Sequence, residues 1–71
     1  MEYLSVTSSN LAAIAYDENG QILGVRFQRS GEYHYHGVPR EVFEGFAAAP
    51  SMGSYFDQNV KKAGYPFVKV G

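Results

Sequence analysis

Residues 32–36 read Glu-Tyr-His-Tyr-His, between Gly31 and a Gly-Val-Pro. Two chemistries reside in that alternation. Glu32, His34 and His36 are three metal-ligand types at i, i+2 and i+4, and neutral imidazole and carboxylate both bind zinc. Tyr33 and Tyr35 are rings of the kind on which sheet proteins stack RNA bases. Three weaker groups lie elsewhere. Ser51-Met-Gly-Ser54 opens a helical stretch, where the backbone amides around Ser51, Gly53 and Ser54 could hold a phosphate or carboxylate. Ordinary capping is the simpler role for them. Ser8, Ser9 and Asn10 could be taken for a nucleophile cluster, but no positioned base accompanies them, and such residues commonly make local turns. Glu41 and Glu44 are three apart on the polar side of a helix, a poor place for an acid–base pair. Walker A, dinucleotide-binding and HExxH patterns are absent.

Which chemistry survives depends on the elements that carry these residues. The first half of the chain alternates with period two, and the second half switches to helical spacing. Asn19-Gly20 is a strong hairpin signal for a type I′ turn. Centred there, the hairpin sets Tyr16 opposite Leu23, Ile14 opposite Val25 and Ala12 opposite Phe27, and opposed residues share a face. A second hairpin through Arg29-Ser30-Gly31, with Gly31 left-handed, sets Phe27 opposite Tyr33 and Val25 opposite Tyr35. The result is a three-stranded antiparallel meander with two unlike faces. Ala12, Ile14, Tyr16, Leu23, Val25, Phe27, Tyr33 and Tyr35 make the apolar one. Leu11, Ala13, Ala15, Gly24, Arg26, Gln28, Glu32, His34 and His36 make the other, which can meet water.

Two helices then cover the apolar face. Pro39 suits a first helical turn, and Val42, Phe43, Phe46 and Ala49 form one stripe up to Pro50. Ser51 reads as the N-cap of a second helix through about Lys62, with Tyr55, Phe56 and Val60 inward and Gly64 as its stop. The final YPFVKV reads as a tail or a short fourth strand, with Pro66 favouring an edge. The fold class is therefore α+β, one domain over residues 1–71.

On this geometry Tyr33 and Tyr35 are core, because a ring beneath a helix cannot also stack on a base. The metal clip is disfavoured. Arg26, expected opposite His34, would repel a cation, and successive residues on one face lie about 7 Å apart. Neither metal nor cofactor is expected. A merely solvated polar face is the simpler reading of His34, His36 and Glu32. The functional candidate there is a nucleic-acid contact through Arg26, His34 and His36, assisted by Arg29 or Lys69. Its rival is a protein partner seated in the trough of Ala13, Ala15 and Gly24, or added as a strand to a sheet edge.

Composition narrows the classes. The 71 residues contain no cysteine, so no disulfide or thiolate site forms, which accords with the cytoplasm. No apolar run is long enough to cross a membrane, and MEYLSVTSSN lacks the basic and apolar parts of a signal peptide. A formal charge of −1 provides no global attraction to nucleic acid, so such binding needs a local patch. Six Tyr and five Phe supply the mass of a small core.

One ordered set of residues resembles a known family. Ser8-Ser9-Asn10, Tyr16-Asp17, Gly31-x-Tyr33-x-Tyr35, Val38-Pro39, Ser51-x-Gly53-x-Tyr55-Phe56 and Tyr65-Pro66 are similar to the KTSC domain, over nearly the whole chain. That domain is named for its occurrence at the C-terminus of some lysyl-tRNA synthetases and also stands alone in bacteria. The role of that family is uncharacterised, and its association with a synthetase suggests RNA binding. The expected function is a binding module without enzymatic activity.

Overall fold

The computed structural model describes all of residues 1–71. It is an α+β fold: a five-stranded antiparallel sheet in the order β1-β2-β3-β4-β5, with two helices on one face. The strands are β1 Leu4–Ser5, β2 Leu11–Asp17, β3 Ile22–Phe27, β4 Gly31–His36 and β5 Phe67–Lys69. The central meander is the one expected. The open question of YPFVKV is answered by β5, which pairs with β4. β1 is an addition that periodicity misses, because two residues carry no pattern.

The first hairpin keeps the expected register from Tyr16–Leu23 to Ile14–Val25. Its turn is not type I′, however. The only non-glycine residue at positive φ is Gln21, and Gly20 is not in that region either. The loop spans 18–21 and is braced by the Asn19 amide, which donates to the Asp17 carboxylate at 3.2 Å. Further along, an irregularity between Leu11 and Ala13 sets Leu11, not Ala12, opposite Phe27. The extra residue turns Leu11 from the expected water face into the core, where it is 1% exposed.

The second hairpin is slid by two residues from the expected pairing. Val25 faces Tyr33, Leu23 faces Tyr35 and Arg26 faces Glu32, not His34. Gly31 has the expected positive φ, 96°. It closes the loop as the first residue of β4, one step later than a three-residue loop ending on it would require. An even slide leaves every side chain on its face, so the two-face assignment of β3 and β4 survives.

Helix α1 runs Arg40–Ala48, with Pro39 just outside it at the N-cap position. Helix α2, Met52–Phe56, begins at Ser51, whose Oγ accepts from the Ser54 amide. It passes into a π-helical turn over Asp57–Lys61, closed by the Lys62 amide donating to the Asp57 carbonyl. One expected helix is thus two helical types. Gly64 ends the segment at positive φ. Phe46 and Val60 are fully buried against Ile14, Leu23, Val25 and Val38. The helices meet where Tyr55 crosses Gly45: its hydroxyl donates to the Val42 carbonyl at 2.9 Å, and its ring stacks on Phe46. A Cβ on Gly45 would collide with the Tyr55 phenol.

Candidate functional site

The outer face of the sheet carries Arg26, Glu32, His34 and His36, as the alternation predicts. Their electrostatics differ from an open cationic surface. The Arg26 guanidinium pairs with the Glu32 carboxylate at 3.2 Å. His34 Nε2 lies 3.7 Å from the other Glu32 oxygen. That oxygen also accepts from the Tyr3 hydroxyl at 2.7 Å. Arg26 in turn lies over the Tyr3 ring, 4.2 Å from its centroid. Glu32 thus serves three neighbours, and the Tyr3 hydrogen bond, with Arg26 beside it, lowers its pKa. Burial and the Glu32 carboxylate push the Tyr3 phenol up. His36 lies two residues on, opposite Ile22.

The small-residue trough is not open to a partner. Ala13, Ala15 and Gly24 are all buried. The N-terminal segment fills the space above them: a Cβ on Gly24 would run into the Tyr3 phenol and the Met1 sulfur. This corrects the trough half of the protein-partner expectation. The small side chains are there to seat Tyr3.

The concave site lies on the opposite side of the sheet. An open cleft of about 1030 Å³ runs between the 8–10 and 28–30 loops, α2 and β5. Its rings are Phe27, Tyr33, Tyr35, Phe56, Tyr65 and Phe67. All but Tyr65 contact one another, Phe27 edge-on to Tyr33 at 5.6 Å and Tyr33 edge-on to Phe67 at 5.9 Å. Tyr35 joins Phe56 at 5.6 Å and Phe67 at 5.4 Å. Polar groups come from Ser9, Asn10, Gln28, Ser30, Ser51 and Ser54. Arg29 and Lys61 supply two cations against the single carboxylate of Asp57.

The two tyrosines behave differently here. Tyr35 is 7% exposed, as expected for core, and its burial raises its phenol pKa. Tyr33 is only half-buried and presents part of its ring to the cleft. Tyr33 nonetheless packs against the core cluster, so both rings belong to the core as expected, Tyr35 buried and Tyr33 at its margin. Phe67, on β5, is 60% exposed. Ser51, Gly53 and Ser54 line the cleft, but the Ser51 hydroxyl is engaged as the helix cap. Glu44 is tied to Arg40 at 3.0 Å, and the Asn10 amide turns back to the Ser8 hydroxyl.

Reading by faces missed the cleft because it is made at the margin of the lid. Its residues come from five separate stretches that no local period connects. Ser9, Asn10, Tyr33, Tyr35, Ser51, Gly53, Phe56 and Tyr65 belong to the ordered set quoted above, and that set was the available signal.

Comparison with known proteins agrees with that set. The family model described as KTSC domain matches residues 7–65. A protein of Stutzerimonas stutzeri, described as uncharacterised, is 34% identical over 70 residues, covering 99% of each chain. A protein of Tsukamurella paurometabola is 43% identical over 56 residues, covering 79% of this chain and 84% of its own. The crystal structure of a KTSC domain protein from Yersinia pestis is similar with a TM-score of 0.94 at 33% identity, over 99% of this chain and 97% of that one.

Proposed function

The chain belongs to the KTSC domain family, and from that premise we propose that it is a non-enzymatic binding module that holds single-stranded RNA in the aromatic cleft. The observation that carries this reading is convergence: family-pattern residues distant in sequence line one open cleft that also holds two cations. Partly open rings at Tyr33, Tyr65 and Phe67 offer stacking surfaces to unpaired bases, each worth about 1–3 kcal/mol. Arg29 and Lys61 answer the phosphates. Serine hydroxyls and the Asn10 amide are suited to base edges and the 2′-hydroxyl. A chain of charge −1 thus has a cleft of local charge +1, from two cations and one carboxylate.

This places the contact opposite to the Arg26, His34 and His36 face. There Glu32 already compensates the guanidinium and Tyr3 covers the centre. The test is a titration of isotopically labelled protein with a twelve-nucleotide uridine RNA, read by amide shifts. Shifts at Tyr33, Ser54, Tyr65 and Phe67 are the expected result. Shifts at Arg26, His34 and His36 alone would return the site to the outer face, and none at low salt would remove RNA altogether.

One observation favours a second reading, a protein partner that adds a strand to β5. The Val70 amide and the Pro66 carbonyl point to β4, so by alternation the backbone groups of Phe67 and Lys69 point away from the sheet. Phe67, Val68 and Val70 are exposed there. Partner capture that survives nuclease and high salt would support it over RNA.

A further inference from the structure

The fold explains every glycine in the chain but one. Gly31, Gly37 and Gly64 sit at positive φ, where a side chain is strained. A Cβ on Gly20, Gly24, Gly45 or Gly71 would come within 3.3 Å of a neighbouring atom. Gly53 has neither excuse. It lies inside α2 at negative φ, and a Cβ built on it meets nothing within 4 Å. Glycine within a helix weakens it relative to alanine. Here the domain carries that weakness with no packing need for it.

Gly53 lines the cleft together with Ser51 and Ser54, and the place its side chain would take is open. Neither of those flanking residues is buried, and the Ser51 hydroxyl is turned back to cap the helix. Phe67, which is exposed, and Tyr65, which is half-buried, line the same cleft. A planar group in the cleft can approach the Gly53 backbone without meeting a side chain there. We infer that Gly53 is a ligand-contact residue: its missing side chain leaves the surface on which one nucleobase of the bound RNA rests. This rests on the RNA reading of the cleft and adds to it which wall the base lies against. No charge is invoked; the feature is the absence of a side chain where nothing in the fold forbids one.

The test uses the whole chain and two variants of graded size, Gly53→Ala and Gly53→Gln. Both replacements are good helix formers and both point into open space. The probe is the twelve-nucleotide uridine RNA, fluorescently labelled, with affinity read by anisotropy and stability by thermal melting. Gly53→Ala should melt about 2–8 °C higher than the parent. Affinity should fall in order of size, reaching about 5- to 150-fold, the range for losing one stacked base. Unchanged affinity in both variants, with the parent binding, overturns the inference and leaves the RNA reading intact. A lower melting temperature for Gly53→Ala overturns it too, since the glycine would then serve the fold. If the parent protein does not bind the probe, the RNA reading fails and takes this inference with it.

Discussion

The charge inventory of the cleft gives a quantitative expectation for the salt dependence of RNA binding. Two cations, Arg29 and Lys61, line it. For a single strand the slope of log K against log salt is about −0.7 for each phosphate neutralised, so two contacts give about −1.4. Raising salt fourfold, from about 50 to about 200 mM, should then weaken binding about 7-fold. Lys61→Ala or Arg29→Ala should halve the slope, leaving a loss of about 2.6-fold over the same range. Arg26→Ala should leave the slope unchanged, because its guanidinium is held by Glu32 on the other side of the sheet. The assay is anisotropy of a labelled twelve-nucleotide uridine RNA at four salt concentrations, with parent and variants measured side by side. A parent slope near −2.8, about a 50-fold loss, would mean four phosphate contacts and a larger basic surface than the cleft supplies. A slope that flattens in Arg26→Ala but not in Lys61→Ala would refute the placement of the ligand outright.

Three further outcomes follow from particular contacts. Tyr35→Ala should cost about 3–5 kcal/mol in urea unfolding, as for a buried aromatic, whereas half-buried Tyr33→Ala should cost about 2 kcal/mol and remove RNA affinity. Equal costs would mean that the two rings share one environment after all. Gly24→Ala should drive Tyr3 off the sheet by overpacking, at about 1–3 kcal/mol, and leave the cleft's affinity intact; an unchanged melting temperature would show that the N-terminal segment does not pack there. Tyr3, Tyr16 and Tyr35 all have phenols raised above the ordinary 10.0 by burial. The unfolded chain therefore releases those protons first as pH rises. Stability contributed by these neutral phenols is full below about pH 10 and is lost above it, so the urea midpoint should drop there and drop less in Tyr3→Phe.

Much of this fold is legible because face and period are local properties. Alternation from Ala13 to Tyr16 and from Leu23 to Phe27, with apolar pairs matched across Asn19-Gly20, was enough to assign the core face. The stripe of Val42, Phe43 and Phe46 was enough to find its cover. The two-residue slide of β4 was invisible at that level, since an even slide leaves the pattern of faces unaltered. The irregularity at Leu11 was invisible too, because one inserted residue looks like any other in a run of small apolar ones.

The candidate site was legible only as a set of residues, not as a place. Ser9, Asn10, Tyr33, Gly53 and Tyr65 could be quoted in order, yet their meeting depends on where α2 stops, how β5 docks on β4 and how far the lid reaches. Tyr3 illustrates the same gap on the other face. An aromatic in a segment with no period lies across Gly24 and takes up Glu32, which closes the trough and occupies the charge beside Arg26.

What the amino-acid sequence determined alone is which side of each strand is apolar, that helices must cover that side, and that His34 and His36 point away from it. What only the tertiary structure decided is which parts of those surfaces stay open: Tyr33 half-covered, the trough filled, an aromatic cleft at the margin of the lid. Periodicity says which way a side chain points, through bonds a few residues long. Whether anything stands over it depends on contacts between segments far apart in the chain, and no local pattern records those.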